Sequence, residues 1–159
     1  MKLISHRGNI VGPKPSRENS PSYIDTAISA GYDVEIDVNT INGLIYLGHD
    51  TPDYEVTEKW LVKRKDKLWV HCKNLEAATI LSGLGVRLQL FCHTADPFVL
   101  TSNGYIWVHN LKLNLTNRTI IPLLNEDDIY AYHGKIVYGV CTDFITLAEY
   151  NLKQKGLYQ

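Results

Sequence analysis

Residues 31–50 read GYDVEIDVNTINGLIYLGHD, and this stretch decides the fold. Its first half, Asp33 to Val38, alternates apolar and acidic residues. Strand side chains alternate with period two, so Val34, Ile36 and Val38 point to one side and Glu35 and Asp37 to the other. An apolar strand with two carboxylates on one face has an electrostatic problem. Unpaired buried carboxylates are costly, and such a pair meets a cation or shares a proton. Ile41-Asn42-Gly43 then marks a short turn, Leu44 to Leu47 a second apolar run, and Gly48-His49-Asp50 its end. Two carboxylates and a histidine, all at strand ends, read as a site.

Working outward, Lys2 to Ser5 is a short apolar strand ending in His6-Arg7-Gly8, and a polar loop rich in Gly and Pro runs on to Asn19. Ser20-Pro21 opens a helix, Ser as N-cap and Pro at the first helical position. Tyr23, Ile24, Ala27 and Ile28 form its apolar stripe, and Gly31 ends it. A helix between two strands implies a parallel crossover. On the other side, Thr57 to Arg64 reads as a helix with Lys63, Arg64 and Lys65 near its C-terminal end, where the dipole favours positive charge. Leu68 to Lys73 is a strand, Asn74 caps a helix from Leu75 to Leu81 that Gly83 and Gly85 end, and Val86 to His93 is the next strand. Beyond it, Tyr105 to His109, Thr119 to Leu123 and Ile136 to Cys141 read as strands, and Phe144 to Lys153 as a closing helix. Links such as Leu111 to Arg118 are too short or too polar for full helices.

This alternation argues an α/β protein with a parallel sheet. A (β/α)8 barrel needs about 200 residues or more, and the chain has 159. The expected fold is therefore a compact or incomplete TIM (β/α) barrel with reduced helices in its second half, residues 1–159 forming a single domain. The composition, 45% hydrophobic and 21% charged, is that of an ordinary globular protein. A formal net charge of −1 offers no polyanion-binding surface, so nucleic acid is not an expected partner. No apolar run is long enough for a membrane span. The chain enters a strand at Lys2-Leu3-Ile4 without an apolar signal region, which points to a cytoplasmic protein. Cys72, Cys92 and Cys141 are an odd number, so free thiols are expected rather than disulfides. Cys72 and Cys92 alternate with the polar residues beside them and read as core thiols.

Polar groups fit for chemistry recur at the C-terminal ends of these strands: His6 and Arg7, Glu35 and Asp37, His71 and Lys73, His93, His109, and Asp143. In a parallel barrel those ends share one face, where active sites sit. His6-Arg7-Gly8, Glu18-Asn19-Ser20, Glu35-Ile36-Asp37-Val38, Asn42-Gly43 and His49-Asp50 together resemble the glycerophosphodiester phosphodiesterase family, which belongs to the phospholipase-C-like phosphodiesterases with a TIM-barrel fold. That family's pattern reads His-Arg-Gly, Glu-Asn-Thr, Glu-x-Asp, Asp-Gly and His-Asp in this order. The dense match covers residues 4–50, and Thr142-Asp143 looks like the Thr-Asp of the family's last strand.

The resemblance implies a metal-dependent phosphoric diester hydrolase acting on a small glycerophosphodiester-like substrate. His6 and His49 would be the acid–base pair, a role suited to a ring that titrates near neutrality. Arg7 would stabilise charge on the phosphoryl oxygens. Glu35 and Asp37 would hold a divalent cation, Mg2+, Ca2+ or Mn2+. Lys73 would contact phosphate, Glu18 would organise the His-Arg-Gly loop or reach the metal shell, and His93 would touch substrate. The chain departs from the family at His71, where the family has a third metal-binding glutamate. An imidazole removes a negative charge and favours Mn2+, Fe2+ or Zn2+ over Ca2+. Asn42 also replaces the aspartate before Gly43. Two other readings share the fold: a non-catalytic phosphoester-binding or regulatory module, and a phosphodiester transferase or lyase.

Overall fold

A computed structural model describes residues 1–109, 111–134 and 136–158. The elements run β1 (Lys2–His6), α1 (Pro21–Ser29), β2 (Asp33–Ile41), β3 (Leu44–Leu47), β4 (Tyr54–Val56), α2 (Glu58–Arg64), β5 (Leu68–Cys72), α3 (Leu75–Ser82), β6 (Gln89–Phe91), β7 (Phe98–Leu100), β8 (Ile106–Val108), β9 (Thr119–Pro122), α4 (Glu126–Ala131), β10 (Gly139–Thr142) and α5 (Ile145–Gln154). β2 is the organising strand. Along one edge it pairs first with β1, parallel, through Ile4↔Asp33 to His6↔Glu35, and then with β3, antiparallel, from Val38↔Leu47 to Ile41↔Leu44. Along the other edge it pairs with β5, parallel, through Asp37↔His71 and Val38↔Cys72. The β2–β3 turn is Asn42-Gly43 with both φ positive, 52° and 79°. That is the two-residue hairpin turn whose twist matches its strands.

From β2 the parallel sheet extends through β1, β10, β9 and β8 on one side and through β5 and β6 on the other. β7 adds antiparallel to β8. The result is an α/β protein with a mixed, strongly curled half-barrel sheet. It is not a closed barrel: β6 and β7 remain its edges, and no ladder joins them. Residues 102 and 103 span the seam instead, including one backbone bond from Ser102 N to the Leu90 carbonyl at 2.8 Å. Ser102 accepts from Leu90 N and donates to the Leu88 carbonyl, both at 2.8 Å, and Asn103 donates to Gln89 Oε1 at 2.7 Å. Nor does the chain keep the regular strand–helix alternation of a TIM barrel, since among the described residues no helix separates β6, β7, β8 and β9.

Several caps are the expected ones. Thr57 accepts from Trp60 N and Asn74 from Ala77 N. Ser20 precedes Pro21 as expected, but its side chain makes no capping bond. Three cores follow from strand alternation. Outward residues Val34, Ile36, Val38, Leu68 and Val70 pack with Ile24, Leu61 and Leu81 of the helices. Leu3, Ile121 and Val140 pack with Ile129 of α4 and Ile145, Ala148 and Leu152 of α5. The inward residues Ile4, Trp69, Phe91, Trp107, Ile120 and Cys141 fill the curl. Cys72 is a core thiol as expected. Cys92 is exposed, lying just past the end of β6 at Phe91. All three thiols are free. Among the described residues no helix is long and apolar enough to cross a membrane.

Candidate functional site

The inward row of each parallel strand sets the site. Above the apolar plug of the curl, these rows end in His6 on β1, Glu35 and Asp37 on β2 and His71 on β5, around a cavity of about 490 Å3. His6, Arg7, Glu35, Asp37, His49, His71, Lys73, His93 and His109 all line it. The structure thus brings together the site residues read from the sequence except Glu18, which lies behind Arg7, and Asp143, which lies behind His6.

Asp37 is fully buried and is the hub. Its Oδ2 lies 2.9 Å from Arg7 Nε and accepts from Asn19 Nδ2 at 3.0 Å, while its backbone N–H donates to Asn19 Oδ1 at 2.9 Å. Its Oδ1 lies 3.1 Å from His71 Nδ1 and 3.7 Å from Lys73 Nζ. Glu35 Oε1 is 3.9 Å from the same His71 nitrogen, and Glu35 Oε2 is 3.8 Å from His6 Nε2. Glu35, Asp37 and His71 each offer one ligand atom within 4.8 Å of the others, so this buried group could hold a metal ion. The hydrogen-bond pattern fits that use. Glu35 Oε2, Asp37 Oδ1 and His71 Nε2 are buried with no hydrogen-bond partner, a costly condition that a bound cation relieves at the carboxylates. Two oxygens and one imidazole suit a hard or borderline divalent ion. Asp33, the third inward acid of β2, lies one layer lower and is spoken for by Lys2, Lys67 and Trp69 Nε1.

The charges split the two site acids. Burial would raise Asp37, but His71, Arg7 and Asn19 hold its carboxyl well below the usual carboxylate range. Glu35 is pushed up to about 8, first by burial and then by the Asp37 charge beside it, against the pull of His6, Arg7 and Lys73. A carboxyl with a raised folded value contributes its full stability below its ordinary value of 4.5 and loses it as pH rises through about 8. Asp37 runs the opposite way, and its loss falls at acid pH. Chelator-treated protein is therefore expected to lose stability between about pH 5 and about pH 8.5, and Glu35→Gln to lose less. Denaturant midpoints across that range decide it; an equal slope in the variant removes Glu35 as the source.

His6 donates through Nδ1 to Asp143 Oδ1 at 2.8 Å. Burial opposes its charged form, yet Asp143 and Glu35 raise its pKa above the ordinary value. Asn9 donates to Asp143 at 2.7 Å and to Glu18 at 2.9 Å, and Arg7 Nη1 reaches Glu18 at 3.2 Å. Glu18 therefore organises the His-Arg-Gly loop, and no contact joins it to the Glu35, Asp37 and His71 group. His49, partly exposed, sets Nδ1 at 2.7 Å from Asp50 Oδ1. It follows Gly48, whose φ of 143° and close approach to Thr51 O leave no room for a Cβ.

Asn9 escaped notice in the sequence, Asn19 stood in the Glu18-Asn19-Ser20 motif without a role, and Asp143 had no partner. Asn19 carries a local signal, since it sits between Glu18 and a helix cap and takes φ 61°, a region asparagine tolerates. Asp143 meets His6 across 137 positions of chain, which no local pattern reports. Comparison of the chain with protein-family models, with curated proteins and with solved structures gives no match.

Proposed function

We propose that this protein is a metal-dependent phosphodiesterase of glycerophosphodiester-like substrates, built on an incomplete (β/α) barrel. The observation that carries the reading is a pairing: two imidazoles, each with Nδ1 on a carboxylate, line the same cavity as a buried two-acid, one-histidine group. A carboxylate on Nδ1 fixes that nitrogen as the protonated one and leaves Nε2 to exchange a proton with a ligand. Binding alone needs no such pair, which weighs against a non-catalytic module.

Glu35, Asp37 and His71 hold the cation. When bound, it supplies charge to offset the phosphoryl oxygens and to orient the diester. The remaining work falls to side chains. Arg7, fixed between Asp37 and Glu18, presents its guanidinium to the same oxygens. His6, raised by its carboxylates, holds a proton at Nε2 for the leaving alkoxide. His49 takes the proton of the attacking water, or of a substrate hydroxyl if the first product is cyclic. Lys73 adds positive charge over Asp37. With one imidazole among its ligands, the site prefers Mn2+ to Ca2+.

The test is hydrolysis of an aryl phosphodiester by chelator-stripped protein, titrated in turn with Mg2+, Ca2+, Mn2+ and Zn2+. Turnover that needs metal and disappears in His49→Ala supports the reading, and absence of turnover with every metal counts against it. His71→Glu is expected to move the metal preference towards Mg2+ or Ca2+. An unchanged order of metals would place His71 outside the ligand set.

A further inference from the structure

One residue layer above the Glu35, Asp37 and His71 group, three more inward positions carry nitrogen: Lys73 after β5, His93 after β6 and His109 after β8. All three line the same cavity. His93 stacks parallel on His71, with ring centroids 4.7 Å apart and planes 3° off. His109 leans on His93 at 3.9 Å and 40°. Below, the column continues from His71 to Phe91 and Trp107. Stacking consumes ring faces and leaves ring edges for a ligand. Among the described residues no hydrogen bond or ion pair engages the ring nitrogens of His93 or His109.

A cation fits this layer poorly. The Lys73 ammonium at the same wall repels it. The exposed carboxylate of Asp96 acts on His93 but does not line the cavity. An anion fits: two imidazole edges that can donate, one ammonium, and the exposed hydroxyl-bearing Thr94 at the same wall.

We propose that this layer is a second anion subsite, and that the substrate is a phosphodiester with one arm carrying a further phosphate or carboxylate, held by the edges of His93 and His109 together with Lys73. The proposal rests on the phosphodiesterase reading for what occupies the floor. Two residues along a strand span roughly 6–7 Å, so two or three carbons separate the diester from the second anion.

The experiment is calorimetric titration of the full chain, metal-free, with propane-1,3-diol bisphosphate and with 3-hydroxypropyl phosphate, which differ only in the second anion. The bisphosphate is expected to bind about ten-fold tighter or more. In the His93→Phe, His109→Phe double variant, whose phenyl rings keep the stacks, the ratio is expected to fall to about two-fold or less. Equal affinities in the wild type, a measurement that needs no variant, overturn the subsite, as does an undiminished ratio in a folded double variant. Aryl diester turnover, measured alongside, tests the other reading separately. Discrimination without turnover sinks the diesterase and keeps the subsite; turnover without discrimination sinks the subsite alone.

Discussion

Alanine in place of His6 is expected to lower phosphodiester turnover by about 10²-fold or more, the scale of a lost acid–base group, and His49→Ala to do the same. The two differ in what else they disturb. His6 is held from behind by Asp143, which Asn9 holds in turn. His6→Ala leaves that carboxylate without its imidazole in a buried place, so it costs stability as well as rate. His49 and Asp50 are exposed enough for water to replace the contact, so His49→Ala leaves the unfolding midpoint near that of wild type. Single-turnover rates with melting curves on both variants check the pair of expectations. A near-normal rate in either variant removes that histidine from the chemistry.

The second large effect is on stability. Asp37→Ala deletes the carboxylate that faces Arg7, Asn19, His71 and Lys73 at once. Removing one partner of a buried pair costs about 3–5 kcal/mol, because the remaining charge is left without compensation. Relief of the repulsion between Asp37 and Glu35 returns part of this, but one carboxylate relieved does not balance four nitrogen-bearing groups left facing a gap. For a chain of this size the midpoint is expected to fall by roughly 10 °C. If Glu35, Asp37 and His71 hold a cation, added Mn2+ or Mg2+ should stabilise the wild type and not the variant, which keeps only two of the three ligands. A metal-dependent shift of undiminished size in Asp37→Ala would put the cation elsewhere.

The acidic strand was legible because its information is local. Period-two alternation placed Glu35 and Asp37 inward, Asn42-Gly43 gave the hairpin, and Thr57 and Asn74 gave two helix starts. Their place at the C-terminal ends of parallel strands put His71, Lys73, His93 and His109 on one expected face, and all four line one cavity. What escaped was set by partners far along the chain. β4 and β7 are three-residue strands defined by the neighbours they pair with rather than by composition. The run from Val86 to His93 looks like one long strand, yet only Gln89–Phe91 finds a ladder. α4 buries only Ile129 and opens with three acids, so it lacks an apolar stripe; Asn125 is its one local signal. Whether the curl closes depends on β6 meeting β7, and no pattern inside either segment speaks to that.

The bridged seam has a consequence for how the protein moves. β1, β2, β10 and β5 lie inside the sheet with ladders on both edges, whereas β6 and β7 meet only through Ser102 and Asn103. Amide protons along the seam therefore exchange with solvent sooner than those of β2, since opening there breaks fewer backbone bonds. His93 and His109 sit on the two banks of that seam, while Glu35 and Asp37 ride on the most firmly held strand. The molecule is thus divided into a stiff wall and a pliant wall. Opening of the seam is expected to move His93 and His109 before it moves Glu35 or Asp37.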